Sequence, residues 1–224
     1  MSDGFDDLAV LPPCTAEVTV LVQDPSFLLV NKPARLLSVP GRHPQNRDSV
    51  IVRLQADFPQ ASIVHRLDFD TSGLMVIPLT KAALSHISKQ FQARTICKTY
   101  TAVVNGLVKE EQGVIDLPIA PDRENRPKYK ICAATGRQSV TEFTVLLRDE
   151  NTQTSRLLLH PVTGRSHQLR LHMQAIGHPI LGCEFYADEV TKEKSNRLLL
   201  HASRLAFLHP VTGVEVVGRC EPEF

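Results

Sequence analysis

The run Leu74-Met75-Val76-Ile77-Pro78-Leu79 contains no polar side chain. Six residues are too few for an ordinary globular helix, and an apolar run of this length bounded by turn signals fits a buried strand. That strand needs partners. Val18–Val22 and Phe27–Asn31 supply two β-type runs, separated by the turn former Asp24-Pro25-Ser26. Pro33 ends the second of them because it has no N–H to give to a ladder. Thr99–Asn105, Val140–Leu147 and Arg156–His160 read as further strands, the last two as a pair. Arg204–Val217 reads as a hairpin turning at Pro210–Gly213.

Three helices are predicted between them. Asp48-Ser49 would cap Val50–Phe58, Thr80 would cap Lys81–Gln92, and Ser166 would cap a helix to Ile176 that Gly177 and Pro179 stop. Leu36–Arg47 and residues 118–137 are rich in Pro, Gly and basic residues and read as loops. The sum is an α+β chain with a mostly antiparallel sheet. At 224 residues it suits one large domain, residues 18–224, preceded by an acidic extension over residues 1–17.

Charge distribution matters more than total charge. The formal net charge is +1, which on its own argues against a strongly basic nucleic-acid binder. Residues 1–30, however, carry five acids and no Lys or Arg, and residues 205–224 carry three acids against Arg219. Ends of −5 and −2 leave +8 on residues 31–204. Five cysteines at wide spacings, with no C-x-x-C, read as reduced thiols of a cytoplasmic protein and not as a metal or redox site. No apolar run is long enough for a membrane helix, and Met1–Asp7 lacks the basic and apolar regions of a secretory signal.

Two stretches concentrate reactive side chains. His65-Arg66-Leu67-Asp68-Phe69-Asp70-Thr71-Ser72-Gly73 places acid, base and hydroxyl groups just before the buried strand, where a loop on a rigid scaffold can do chemistry. On spacing alone the plainer reading is a solvated loop in which Asp68 turns the chain and Arg66 is its surface partner. Gly164-Arg165-Ser166-His167-Gln168-Leu169-Arg170-Leu171-His172 would open a helix whose N–H groups form an anion site near Arg165. On that helix Arg165 and His172 would share one face, and Arg170 and His172 would otherwise be an ordinary polar surface. His167 and His172 are five apart, whereas a helical zinc pair prefers four.

Taken together, the two stretches resemble the RluA family of pseudouridine synthases. Asn31-Lys32-Pro33, Lys98-Thr99-Tyr100, His178-Pro179-Ile180-Leu181-Gly182 and Leu199-Leu200-His201-Ala202 match that family in the same order. The likeness runs from about residue 20 to the C-terminus. Leu36–Arg42 and the insertion Asp116-Leu117-Pro118-Ile119 with Asn125-Arg126-Pro127-Lys128 match one branch of it. The segment before Asn31 is too short for the separate S4-type RNA-binding domain of the longer relatives.

The resemblance implies a pseudouridine synthase fold: a central, mostly antiparallel sheet flanked by helices and loops, with a central active-site cleft. It implies isomerisation of uridine in structured RNA without a metal or other cofactor, on a 23S ribosomal RNA stem-loop and a tRNA anticodon stem-loop, by a cytoplasmic monomer that acts on neither DNA nor membranes. It assigns Asp68 as the essential carboxylate, acting either as nucleophile at the ribose anomeric carbon or as base for the 2′ proton. Arg165 is expected to pair with Asp68 and keep it ionised. Tyr100, which alone would read as a core aromatic, becomes the ring that stacks on uracil. Arg66 is expected to fill the space left by the flipped base, with His65 beside it supporting the loop or the RNA. Arg35, Arg42, Arg47, Arg123, Arg126, Lys128 and Lys130 are the expected phosphate contacts, with Arg170 as a further RNA contact. The competing readings are a synthase of the same family acting on only one of these RNAs, a non-catalytic RNA-binding protein, and a glycosidase using Asp68 and Asp70.

Overall fold

A computed structural model describes residues 9–224. Asp3, Asp6 and Asp7 of the acidic extension lie outside the described residues. The chain forms two compact units, one from the residues up to Ile96 plus Leu205–Cys220, the other from Cys97–Arg204 plus Glu221–Phe224.

In the first unit, β1 (Thr19–Gln23) and β2 (Phe27–Lys32) form an antiparallel hairpin. Its turn is set by Asp24, whose carboxylate accepts from Ser26 N at 2.7 Å while its own N–H donates to Phe27 O. The apolar run becomes β3 (Ser72–Pro78), antiparallel to β2 from Phe27↔Pro78 to Lys32↔Gly73 and buried along its whole length. Phe27, Leu29, Leu74 and Val76 pack with Ile87 of α2 (Lys81–Ala93) and with Leu205 and Phe207. Thr80 caps α2 as expected, accepting from Ala83 N at 3.1 Å. Gln90 of α2 meets the end of the C-terminal hairpin, accepting from Leu208 N and donating to Leu208 O, each at 2.8 Å.

The predicted first helix is shorter than expected: α1 covers Val50–Gln55. Neither expected cap acts. Ser49 makes no capping bond, and the Asp48 carboxylate is instead taken by Arg53, whose hydrogen bond lowers its pKa. Arg53 also donates to the carbonyls of Cys14 and Ala16, strapping the N-terminal segment down.

In the second unit, β4 (Cys97–Asn105) pairs with β9 (Thr154–Pro161), β9 with β8 (Val140–Asp149), and β8 with β5 (Gln112–Asp116), all antiparallel. The β8/β9 pair agrees with the sequence pattern, and β5 adds a strand beyond it. Residues 118–137 are more ordered than a loop, because β6 (Ile119–Pro121) and β7 (Tyr129–Ile131) form a small hairpin within them. Helices α3 (Gln168–Ala175) and α4 (Glu189–Glu193) complete the unit, α4 capped by Asp188 accepting from Thr191 N. The long strand β10 (Leu200–Leu208) gives residues to both units, and β11 (Glu215–Arg219) pairs with it. Mixed α and β elements with a large, mostly antiparallel sheet match the expected class.

Ser166 is not the cap of α3. His167 takes that position with left-handed backbone, φ 55°, and the helix starts at Gln168. Arg165 therefore precedes the helix and does not share a face with His172. Gln168 Oε1 accepts from Arg165 N at 3.0 Å and from Thr163 Oγ1 at 2.7 Å, which ties the preceding turn to the first residue of the helix. His172 is fully buried, which corrects its reading as part of a polar surface. Thr141 Oγ1 accepts from Gln168 Nε2 and lies 2.9 Å from His172 Nδ1, while His172 Nε2 lies 3.0 Å from Leu117 O. A carbonyl can only accept, so Nε2 carries the proton and Nδ1 accepts from Thr141.

At Gly182, φ is +68° and a Cβ would stand 1.9 Å from Arg197 O. Gly182→Ala should destabilise the chain by about 2 kcal/mol or more in urea unfolding, combining left-handed strain with a backbone clash. Burial holds the His172 pKa below its ordinary 6.5. Above that value both folded and unfolded forms are neutral; below it the unfolded chain takes up the proton first, so stability is lost as pH falls through 6.5. Urea midpoints taken from about pH 7.5 to about pH 5.5 should fall less in His172→Gln, which keeps one donor and one acceptor.

Candidate active site and RNA contacts

The Asp68 loop is pinned from beneath by a buried cation. Lys32, the last residue of β2, is fully buried. Its Nζ donates to Pro33 O at 2.9 Å, Leu36 O at 2.7 Å and Phe69 O at 3.1 Å. Three carbonyl dipoles thus face the ammonium group. Ser38, also buried, adds a second tie by donating to Leu67 O at 2.8 Å and accepting from Leu67 N at 3.1 Å. A turn closed by Thr71 N donating to Asp68 O carries the chain into β3. Between these ties the side chains alternate: Arg66 is exposed, Leu67 buried and Asp68 half-buried. The carboxylate sits on a loop whose backbone is fixed on both sides.

His65 belongs to the scaffold of this loop. Its Nε2 accepts from Val76 N at 3.1 Å, and its ring stacks on Phe91 with centroids 4.7 Å apart. An accepting Nε2 puts the proton on Nδ1 in the neutral ring. Arg35, Arg42 and Arg47 are exposed on the segment between β2 and α1. That segment is shaped by Gly41 N donating to Asn46 O, and by Asn46 accepting from Leu11 N and donating to Ala9 O.

In the second unit Tyr100 lies on β4 opposite Leu159, half-buried against the core. Arg165 lies in the turn between β9 and α3, with its N–H on Gln168 and its Nε donating to Gln138 O at 3.3 Å. A Cβ at Gly164 would stand 3.7 Å from Lys98 Nζ, so a second cation lies over the Arg165 turn. Arg123, Arg126, Lys128 and Lys130 are exposed on and around the β6–β7 hairpin. Lys130 meets Asp122 at 3.3 Å, a solvent-facing pair of little energetic weight.

Arg170 differs from its expected role. It is 2% exposed, with its guanidinium 5.0 Å from the Phe185 ring centroid and 5.5 Å from that of Tyr186, and Nε donating to Cys183 Sγ. A guanidinium covered by two rings supports packing and is not a surface phosphate contact. Sequence reasoning did not single out Lys32, Ser38, Gln168 or Tyr186. Lys32 and Gln168 fall inside motifs, but nothing in their spacing shows that they are buried. All five cysteines are free thiols, and among the described residues no helix is long and apolar enough to cross a membrane.

Residues 26–175 match the RNA pseudouridylate synthase family model. The chain belongs to the RNA pseudouridylate synthase family. It is 52% identical over 205 residues to the dual-specificity RNA pseudouridine synthase RluA of Yersinia pestis, covering 92% of this chain and 99% of that one. Against the RluA of Escherichia coli K12 the identity is 46% over 213 residues, covering 95% and 97%. Among solved structures, human RNA pseudouridylate synthase domain containing 1 superposes with a TM-score of 0.79 at 30% identity, covering 95% of this chain and 86% of that one. Pseudouridine synthases are isomerases, so this chain is an isomerase acting on uridine in RNA.

Within that family the Lys32 knot should be tested directly. Lys32→Met removes the donor from the buried Leu36 carbonyl and the half-buried Pro33 and Phe69 carbonyls, and should cost on the order of 3 kcal/mol in urea unfolding. Turnover should fall further than the lost folded fraction explains, because Phe69 O, next to Asp68, loses its tie.

Proposed function

We propose that the chain converts uridine to pseudouridine in both a 23S ribosomal RNA stem-loop and a tRNA anticodon stem-loop. The relatives that align over almost their whole length carry dual-specificity names, which supports this reading. The observation that carries the chemistry is the Asp68 carboxylate, half-buried on a loop fixed through Lys32 and Ser38. A pre-set carboxylate loses little conformational freedom when it engages the ribose.

The reaction breaks the N1–C1′ bond of uridine and forms a C5–C1′ bond. The proton on C5 is released, N1 gains one, and composition is unchanged. Asp68 assists either by attack at C1′ or by taking the 2′ proton. Arg165 pairs with Asp68 to keep it charged, and Tyr100 stacks on the uracil. Exposed Arg66, beside Asp68 on the fixed loop, enters the helix stack as the base leaves it, and His65 holds that loop from behind. Arg35, Arg42, Arg47, Arg123, Arg126, Lys128 and Lys130 meet phosphates. Residues 18–224 work as one catalytic domain, in the cytoplasm and as a monomer, with no cofactor.

Asp68→Asn should abolish tritium release from RNA labelled at uridine C5 while RNA affinity stays within about threefold, since one neutralised carboxylate removes no phosphate contact. Tritium release at the parental rate would refute the assignment. Arg66→Ala should slow turnover by about a hundredfold with little loss of affinity, because it acts at flipping and not at docking. Equal losses in affinity and turnover would make Arg66 a phosphate contact instead. Pseudouridine mapping of total RNA with and without the protein separates one RNA target from two.

A further inference from the structure

His167 holds a backbone conformation that few non-glycine residues adopt, φ 55° and ψ 15°, two residues after Arg165. Such a conformation persists where the surroundings over-determine it. Here the surroundings are aromatic. The His167 ring stacks on Phe185 at 5.6 Å and meets the edges of Tyr129 at 5.3 Å and Tyr186 at 5.5 Å. Its Nδ1 lies 2.6 Å from the Tyr186 hydroxyl. The same hydroxyl accepts from Tyr129 N at 2.9 Å. Buried Arg170 underlies the Phe185 and Tyr186 rings and fixes their position.

Tyr129 lies on β7. The β6–β7 hairpin has three residues in each strand and carries Arg123, Arg126, Lys128 and Lys130. A two-stranded hairpin of this size does not support itself in water, so its placement depends on docking bonds such as Tyr129 N to Tyr186. One hydroxyl thereby ties the basic hairpin to His167, which stands between Arg165 and the first residue of α3. We propose that His167 and Tyr186 are positioning residues that couple RNA engagement by the 119–131 hairpin to placement of the Arg165 guanidinium. This rests on the reading of Arg165 as the active-site guanidinium. RNA held by the hairpin steadies Tyr129, Tyr129 steadies Tyr186, and Tyr186 fixes His167 and the turn before it. The hairpin then contributes to turnover as well as to affinity.

A double-mutant cycle tests this with a tRNA anticodon stem-loop labelled at uridine C5. Tyr186→Phe keeps the ring over Arg170 and removes the shared oxygen. It should lower kcat by about tenfold with KM within about twofold, the signature of lost placement and not of lost binding. In the parent, Arg123→Ala with Lys128→Ala should lower kcat and raise KM; in the Tyr186→Phe background the same pair should raise KM alone. His167→Asn, which tolerates the left-handed backbone, should reproduce Tyr186→Phe and serves for the cycle if that variant is unstable. The proposal is overturned if removing the hairpin charges lowers kcat by the same factor in both backgrounds, or leaves kcat untouched in the parent. Arg165→Ala separates the two levels. Parental kcat in that variant defeats the active-site role of Arg165 and this proposal with it, whereas a disabled Arg165→Ala with an additive cycle defeats the coupling alone.

Discussion

A buried ammonium organises the first unit. Lys32 ends a strand, yet its side chain turns inward to three carbonyls from two separate segments. Burying a cation is costly, and the cost is offset only when every donor is met. The segments supplying those carbonyls are therefore held in one arrangement. One is the start of the loop bearing Arg35, Arg42 and Arg47; the other is the loop bearing Arg66 and Asp68. The arrangement that satisfies Lys32 also presents the carboxylate, so folding and site construction share one set of hydrogen bonds. Ser38 repeats the device on a smaller scale through Leu67.

The second unit reaches the same end with neutral groups. Gln168 spends both ends of its amide on Thr163, Arg165 N, Val140 O and Thr141, and Thr141 passes the chain of bonds to His172. This network fixes the turn that leads into α3. Cations surround that turn: the Arg165 guanidinium itself, Lys98 over it, and the exposed residues of the β6–β7 hairpin in the same unit. Burial decides the division: Arg170 and His172 share a motif with Arg165 yet face the interior.

Much of the fold was legible in local chemistry. The Thr80 cap, the Asp24 turn, the β8/β9 pair and the apolar β3 run follow from spacing and side-chain type. Elements whose signal lies in long-range pairing were not. β5 is short and mixed in character, and β6–β7 sits in a stretch dominated by Pro and charge. Ser166 was the best local cap available, but Gln168 and the aromatic cluster around His167 set the helix start instead. Local propensity is worth about 1 kcal/mol at a cap, and a buried network outweighs it.

The sequence by itself determined the family, the order of the motifs and the residue types that the chemistry needs. Ordered motifs across nearly the whole chain are a statement about residue identity, and identity is what a sequence records. It also located the excess positive charge in residues 31–204, which a total of +1 conceals. Only the tertiary structure decided which basic and imidazole groups face solvent and which are sealed. Lys32, Arg170 and His172 are as polar on paper as Arg66 and Lys128. Lys32 is buried because the distant Phe69 carbonyl joins the nearby Pro33 and Leu36 carbonyls around it, and distant segments supply two aromatic rings to Arg170 and a threonine with a carbonyl to His172.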